Sequence, residues 1–438
     1  MSKVFYLLLS LLVIDLALSD ELLKNKLEDF ERFNKVLTLI EEQYYQKVDH
    51  SILMKGAIQG MLETLDPHSS FLDKDLLEKM SEETKGEFGG VGIEVSARSG
   101  VIIITAVLQG TPAGRAGIEV GDKIVEINGQ SAIGMRLFDA VEAMKGNVGE
   151  KLQLGLKSKQ GEKIKRVKMI REMIQINPVK YALIDDVLYL QLKQFQEQST
   201  EKLLSALEKV QDHNKKKGLI LDLRGNPGGL LEQAVNVSSV FLESGVVVST
   251  ESRSPQDKDI RYVKKTIPKD LTTPLVILVD STSASASEIV AGAIQDYKRG
   301  LILGQTTFGK GSVQSVIQLD DQNAIKLTIS QYLTPLKRKI QAIGIAPDVI
   351  LAEEAKNQVV REKDLQNHLS AALEQDQSKE EMGVKFSELG VKVQKIDVKK
   401  IQVHSKDLTV QNMQEDEALQ SAIALLKSKQ YSKILKGE

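Results

Sequence analysis

Leu221-Asp222-Leu223-Arg224-Gly225-Asn226-Pro227-Gly228-Gly229-Leu230 carries the chain out of a strand, through a glycine turn and into a helix. The run Gly218 to Leu223 is short and apolar, as in a strand buried on both faces, and Leu230 to Leu242 continues on helical spacing. Outward from it lie a strand at Leu275 to Val279, a helix at Ser287 to Tyr297 and a strand at Leu301 to Leu303. Strands and helices alternating in this way predict an α/β unit with parallel strands and crossover helices from Leu188 to about Val349. Glycines at a helix start leave backbone amides uncovered, which suits an anion or a developing oxyanion. The same residues also read as an ordinary strand-to-helix turn.

A second strand-to-helix junction is Val279-Asp280-Ser281-Thr282-Ser283-Ala284-Ser285-Ala286-Ser287-Glu288-Ile289. Its small residues let a substrate backbone approach, and a serine at the helix start has its oxygen near free amides. Ser285 with Glu288 three residues on is equally a capping box, in which the serine closes the helix end. A third segment, Thr306-Thr307-Phe308-Gly309-Lys310-Gly311-Ser312-Val313-Gln314, follows the strand at Leu301 to Leu303. Gly304 to Lys310 has the glycine spacing of a phosphate loop, but Gly311 stands where a magnesium-binding hydroxyl belongs, and Val313 to Leu319 reads as a strand where such a loop opens a helix. A lysine beside a serine can instead act as general base, provided burial brings its pKa down from about 10.4. Gln314 can hold such an amine by hydrogen bonding.

Composition narrows the chemistry. The 438 residues contain no cysteine, which excludes thiol nucleophiles, disulfides and thiolate zinc sites. His50, His68, His213, His368 and His404 are scattered without metal-ligand spacing, so no metal or other cofactor is expected. A net charge of -2 gives no sign of a nucleic-acid partner, and the length calls for two or three domains. Met1 to Ser19 has Lys3, an apolar run Val4 to Ile14 and a small-residue exit, the pattern of an export signal. The expectation is an exported, periplasmic or extracytoplasmic protein, with cleavage of that segment or its retention as a membrane anchor left open. From Leu22 to about Met80 the spacing of Phe33, Val36, Leu37 and Ile40 predicts helix. Leu65 to Phe71 interrupts it, where Asp66-Pro67 breaks a helix and the following hydroxyls offer caps for the next one.

Gly86 to about Ile174 is β-rich, with strands expected at Val101 to Val107, Lys123 to Ile127, Leu152 to Lys157 and Lys163 to Ile170. Gly110-Thr111-Pro112-Ala113-Gly114-Arg115-Ala116-Gly117-Ile118 and Val120-Gly121-Asp122-Lys123-Ile124-Val125-Glu126-Ile127-Asn128-Gly129 closely resemble the core signature of PDZ domains. The resemblance implies a domain that adds a carboxyl-terminal peptide as an extra strand. Gly90, Val91, Gly92 and Ile93 would be the carboxylate-binding loop, and Leu137 to Met144 the helix flanking the groove.

Taken in order, five segments resemble the carboxy-terminal processing (tail-specific) peptidases over roughly Glu28 to Val349. They are Leu65 to Phe71, Leu223 to Leu230, Ser283 to Ile289, Phe308 to Gln314, and Ile340-Gln341 with Gly344 to Val349. The resemblance implies a multidomain α/β protein with a ClpP/crotonase-like catalytic core, an inserted PDZ domain and a helical amino-terminal segment. Domains are expected at 1–19 (signal or anchor), 20–85 (helical), 86–174 (PDZ), 175–350 (peptidase core) and 351–438 (polar, ending in a helix at Asp416 to Lys427). It further implies a serine endopeptidase with Ser285 as nucleophile, Lys310 as base and Gln314 in support. The oxyanion donors would be the backbone amides of Ala286 and Gly228. Its partners would be protein substrates recognised through their carboxyl termini and an activating protein, in a monomer or homo-oligomer. Thr282 departs from the family, which usually has glycine there, and the polar stretch Gln375 to Gln414 is longer than expected. A catalytically inactive PDZ scaffold is the alternative reading.

Overall fold

The computed structural model describes residues 24–158, 161, 163–210, 217–351, 360–370, 383–405 and 408–438. The expected signal segment 1–19 lies outside them, as do residues 375–382 and 406–407 of the polar stretch. The chain divides into two units, Met1–Phe71 and Leu72–Glu438. In the first, residues 24–43 are helical, followed by the helix His50–Glu63. Pro67 ends the helical run, and Asp66 accepts the His68 and Ser69 amides at 2.8 and 2.9 Å and the Ser69 hydroxyl at 2.7 Å. The hydroxyl expected to cap the next helix is thereby used inside the turn. In the second unit, helix Lys74–Lys85 takes its cap from Asp73, whose carboxylate accepts the Leu76 amide at 3.1 Å.

The second unit is built on an eight-stranded sheet. Its strands in chain order are β1 (Val179–Ile184), β2 (Val187–Leu192), β3 (Gly218–Asp222), β4 (Leu275–Val279), β5 (Leu301–Gly304), β6 (Val349–Ile350), β7 (Val384–Lys385) and β8 (Ile401–Val403). The spatial order is β7-β6-β5-β4-β3-β2-β1-β8. Strands β2 to β7 run parallel, and β1 is antiparallel to both its neighbours. Every residue of β3 and β4 is buried, which is why these strands read as unbroken apolar runs rather than alternating ones.

Alternate side chains serve opposite faces. Leu221, Leu223, Ile277 and Val279 join a core shared with helices α1 (Ser199–Lys209), α2 (Leu231–Phe241) and α3 (Ala286–Asp296). Ile220, Val276 and Leu278 face the other way, into a core completed by Met413, Leu419, Ala422, Leu425 and Tyr431 of the carboxy-terminal segment. Helix α4 (Glu417–Leu426) is the helix expected at the chain's end. Each such side chain, fully buried, contributes about 1.5–3 kcal/mol, so the tail is part of the core fold rather than an appendage. Its strands β7 and β8 occupy both outer positions of the sheet, an arrangement the sequence did not announce.

The PDZ region leaves the core through Glu87–Gly90 and returns through Glu172–Gln175, which pair antiparallel. Between them the sheet runs Ile93–Arg98, Val101–Val107, Lys123–Ile127, Lys151–Lys157, Ile164–Ile170. Ile93–Arg98 ends this row, with the helix Leu137–Met144 packed beside it. Gly90 closes the leading strand, and Gly92 has φ of +78° with Thr111 where a side chain would begin. No residue other than glycine fits that position without displacing Thr111.

Candidate active site

Three loops leave the carboxyl ends of adjacent strands β3, β4 and β5, the edge of an open parallel sheet where ligands bind. They are the three junctions singled out in the sequence, and hydrogen bonds draw them together. From β3, Asn226 is fully buried. Its carbonyl accepts the Ala284 amide at 3.1 Å and the Ser287 hydroxyl at 3.0 Å, gripping the β4 loop on both sides of Ser285. Its side chain donates to the Leu192 carbonyl at 2.8 Å and accepts the Gly228 amide at 2.9 Å. Gly228 has φ of +105°, and a Cβ there would lie 2.8 Å from Ser285 Cβ. Only a glycine allows the two turns to meet.

Ser285 precedes α3 with φ of +54° and ψ of −112°, a conformation that costs a non-glycine residue about 1–3 kcal/mol and persists only where its surroundings enforce it. The capping-box pairing with Glu288 is present. Thr282, where a glycine was expected, does not adopt positive φ. Its amide and hydroxyl bond Asp280 Oδ1 at 3.0 and 2.7 Å, so the position makes no demand for glycine.

Glu288 does more than close a helix. It is completely buried. Its Oε2 accepts the Ser285 amide at 2.8 Å and the Lys310 amide at 2.9 Å, while Oε1 accepts the Gly309 amide at 2.7 Å and the Thr307 hydroxyl at 2.5 Å. One carboxylate oxygen thus holds the backbones of residues 285 and 310 within two hydrogen-bond lengths of each other. The Phe308 amide adds a bond to the Ser283 carbonyl at 3.0 Å. Sequence spacing showed Glu288 only as a capping partner, because its other donors lie 19 to 22 positions away.

Burial pushes the Glu288 carboxyl up to about 7, against hydrogen bonds that favour its ionised form. The folded-state value is raised above the ordinary 4.5. Its contribution to stability is therefore fully present below about 4.5 and is lost as pH rises through about 7. The ionised form, the better acceptor for three amides, is the form that stabilises least. Activity should rise through about pH 7 as the tie tightens. In Glu288→Gln that limb of the pH–kcat profile should disappear and kcat fall roughly 10- to 100-fold; an unchanged limb would assign the titration elsewhere.

Lys310 is half-buried and leads into the strand Ser312–Gln318. A strand here, rather than a helix, and Gly304 inside β5 remove the phosphate-loop reading. Gln341 Oε1 accepts the Gly311 amide at 3.0 Å from behind. Gln314 lies two residues further along, where its side-chain amide donates to Ser312 Oγ at 2.9 Å and Thr328 Oγ1 at 3.2 Å. Of the expected oxyanion donors, Ala286 at the first turn of α3 has no acceptor for its amide among the described residues, whereas the Gly228 amide is engaged by Asn226.

The sequence model of Peptidase family S41 matches residues 186–351, that of the PDZ domain residues 79–157, and that of the activating protease CtpB N-terminal domain residues 14–76. A carboxy-terminal-processing protease of Bartonella bacilliformis is 39% identical over 382 residues, 85% of this chain and 87% of that protein. The chain belongs to peptidase family S41. Within that family its relatives are carboxy-terminal processing proteases, including CtpA of Bacillus subtilis at 35% identity over 322 residues, 73% of this chain and 68% of that protein. Among solved structures, a photosystem II D1 C-terminal processing protease aligns with 73% of this chain and 86% of its own, at 30% identity and a TM-score of 0.44. As an S41 member with a PDZ domain, the protein is a serine-type peptidase of the carboxy-terminal processing group.

Proposed function

We propose that the protein is an endopeptidase that recognises the carboxyl termini of exported or unfolded proteins through its PDZ domain and cleaves them with Ser285 and Lys310. The observation that carries this reading is the shared carboxylate oxygen of Glu288, which ties the strained Ser285 to the segment bearing Lys310. Lys310 takes the proton of the Ser285 hydroxyl as it attacks the peptide carbonyl, then returns it to the leaving amine. The acyl-enzyme on Ser285 is released by water. Ala286 N–H faces the developing oxyanion; Gly228 N–H joins it once its bond to Asn226 opens. Gln314 positions the lysine from the strand that Lys310 leads into.

A cavity of about 760 Å³ supports a cleft for an extended chain. Leu231, Val313 and Ile329 give it apolar walls, and Arg253 and Asp257 a charged rim. In the PDZ domain the exposed edge Ile93–Arg98, preceded by Gly90, Val91 and Gly92, suits a peptide added as a strand with its carboxylate on that loop. The test is digestion of an unfolded protein with a free or an amidated carboxyl terminus, using wild type and Ser285→Ala. Amidation should lower kcat/KM about 10-fold, and Ser285→Ala should leave no cleavage. Equal, negligible digestion by both proteins would favour the PDZ scaffold.

A further inference from the structure

The match to the peptidase model stops at residue 351, yet a residue 65 positions later reaches the loop that grips Ser285. Asp416 begins α4, accepting the Leu419 amide on Oδ1 at 2.9 Å. The same carboxylate receives Arg224 through Nη1 at 3.0 Å and Nη2 at 2.6 Å. Arg224 also turns to Asp222, the last residue of β3, through Nε at 3.0 Å, Nη2 at 2.7 Å and its own amide at 2.9 Å. Asp222 is fully buried and accepts the Tyr189 hydroxyl at 2.7 Å as well. The guanidinium is thus a two-sided bridge between the tail and the end of a central strand. Burial disfavours its charge, and the bonds to Asp222 and Asp416 more than offset that.

Two residues beyond Arg224, Asn226 holds Ala284 and Ser287 on either side of the nucleophile. We propose that Asp416 is a positioning residue for the reaction at Ser285, clamping Arg224 so that the turn Leu223 to Gly229 stays in register with the loop of Ser285. This rests on the peptidase reading of that turn. An exposed ion pair of this kind would contribute little. Here both side chains are three-quarters buried and joined by two parallel bonds, a geometry that fixes orientation as well as charge. Without Asp416, Arg224 still pairs with Asp222, so the strand survives and what is lost is the fixed direction of the turn.

Asp416→Asn in the full chain tests this, since asparagine remains a good helix cap while no longer offering two acceptor oxygens to the guanidinium. Two measurements are needed. In hydrogen exchange, amides of residues 223–230 should exchange about 10-fold faster with those of α4 unchanged. With an unfolded protein substrate, kcat should fall about 10-fold and KM stay within about twofold. Unchanged exchange at 223–230, faster exchange confined to α4, or kcat within about twofold of wild type would overturn the proposal. A wild type without Ser285-dependent cleavage sinks the peptidase reading alone, and the exchange measurement still decides whether Asp416 holds the turn.

Discussion

Lys310→Met should lower kcat by about 10⁴-fold or more while the protein stays folded. The tie through Glu288 uses the backbone amides of Ser285 and Lys310, so the substitution leaves it in place. Methionine keeps the length and apolar stem of a half-buried side chain, and the melting temperature should move by only a few degrees (about 1 kcal/mol). The loss is then chemical: a serine hydroxyl with no proton acceptor. Ser285→Ala and the double variant should show about the same residual rate as Lys310→Met, because groups that act as one unit do not add. A Lys310→Met enzyme retaining more than about a tenth of wild-type kcat would rule out the lysine as base.

Gly228→Ala should be nearly as damaging by a different route. The new methyl would lie 2.8 Å from Ser285 Cβ, 2.9 Å from the Ala284 carbonyl and 3.1 Å from the Ala286 amide, at a φ of +105°. Two of these neighbours are backbone, so the loops must part. We expect kcat to fall about 10²- to 10³-fold and stability by about 1–3 kcal/mol, measured by steady-state kinetics and denaturant unfolding. Gly225, four residues after Leu221, offers a contrast: at φ of +67° it has open space where a Cβ would go. Gly225→Ala should therefore show the backbone penalty, about 1 kcal/mol, with a much smaller loss of rate. Equal kinetic damage from both would mean that contact with Ser285 is not what matters at Gly228.

Much of this architecture was legible because local patterns and tertiary needs agree. Leu275–Val279 and Val101–Val107 have the bounds read from their apolar runs, Leu137–Met144 has those the PDZ resemblance implied, and the three junctions that meet around Ser285 were visible as strand-to-turn changes. The ties between junctions were not. Glu288 looked like one partner in a cap, Asn226 like one residue of a glycine turn, and Asp416 like the start of a terminal helix. Each acts through bonds to residues far away in sequence, which spacing does not encode. Strands β7 and β8 escaped notice for the same reason. They are two and three residues long, and only their neighbours in the sheet make them strands.

Those two short strands have a further consequence for biosynthesis. Because they border opposite sides of the central sheet, and α4 covers one of its faces, a nascent chain halted soon after residue 351 would have the loops of Ser285 and Lys310 made but their scaffold unfinished. Cutting activity should therefore emerge only after the ribosome has delivered the final segments, sparing neighbouring polypeptides during synthesis.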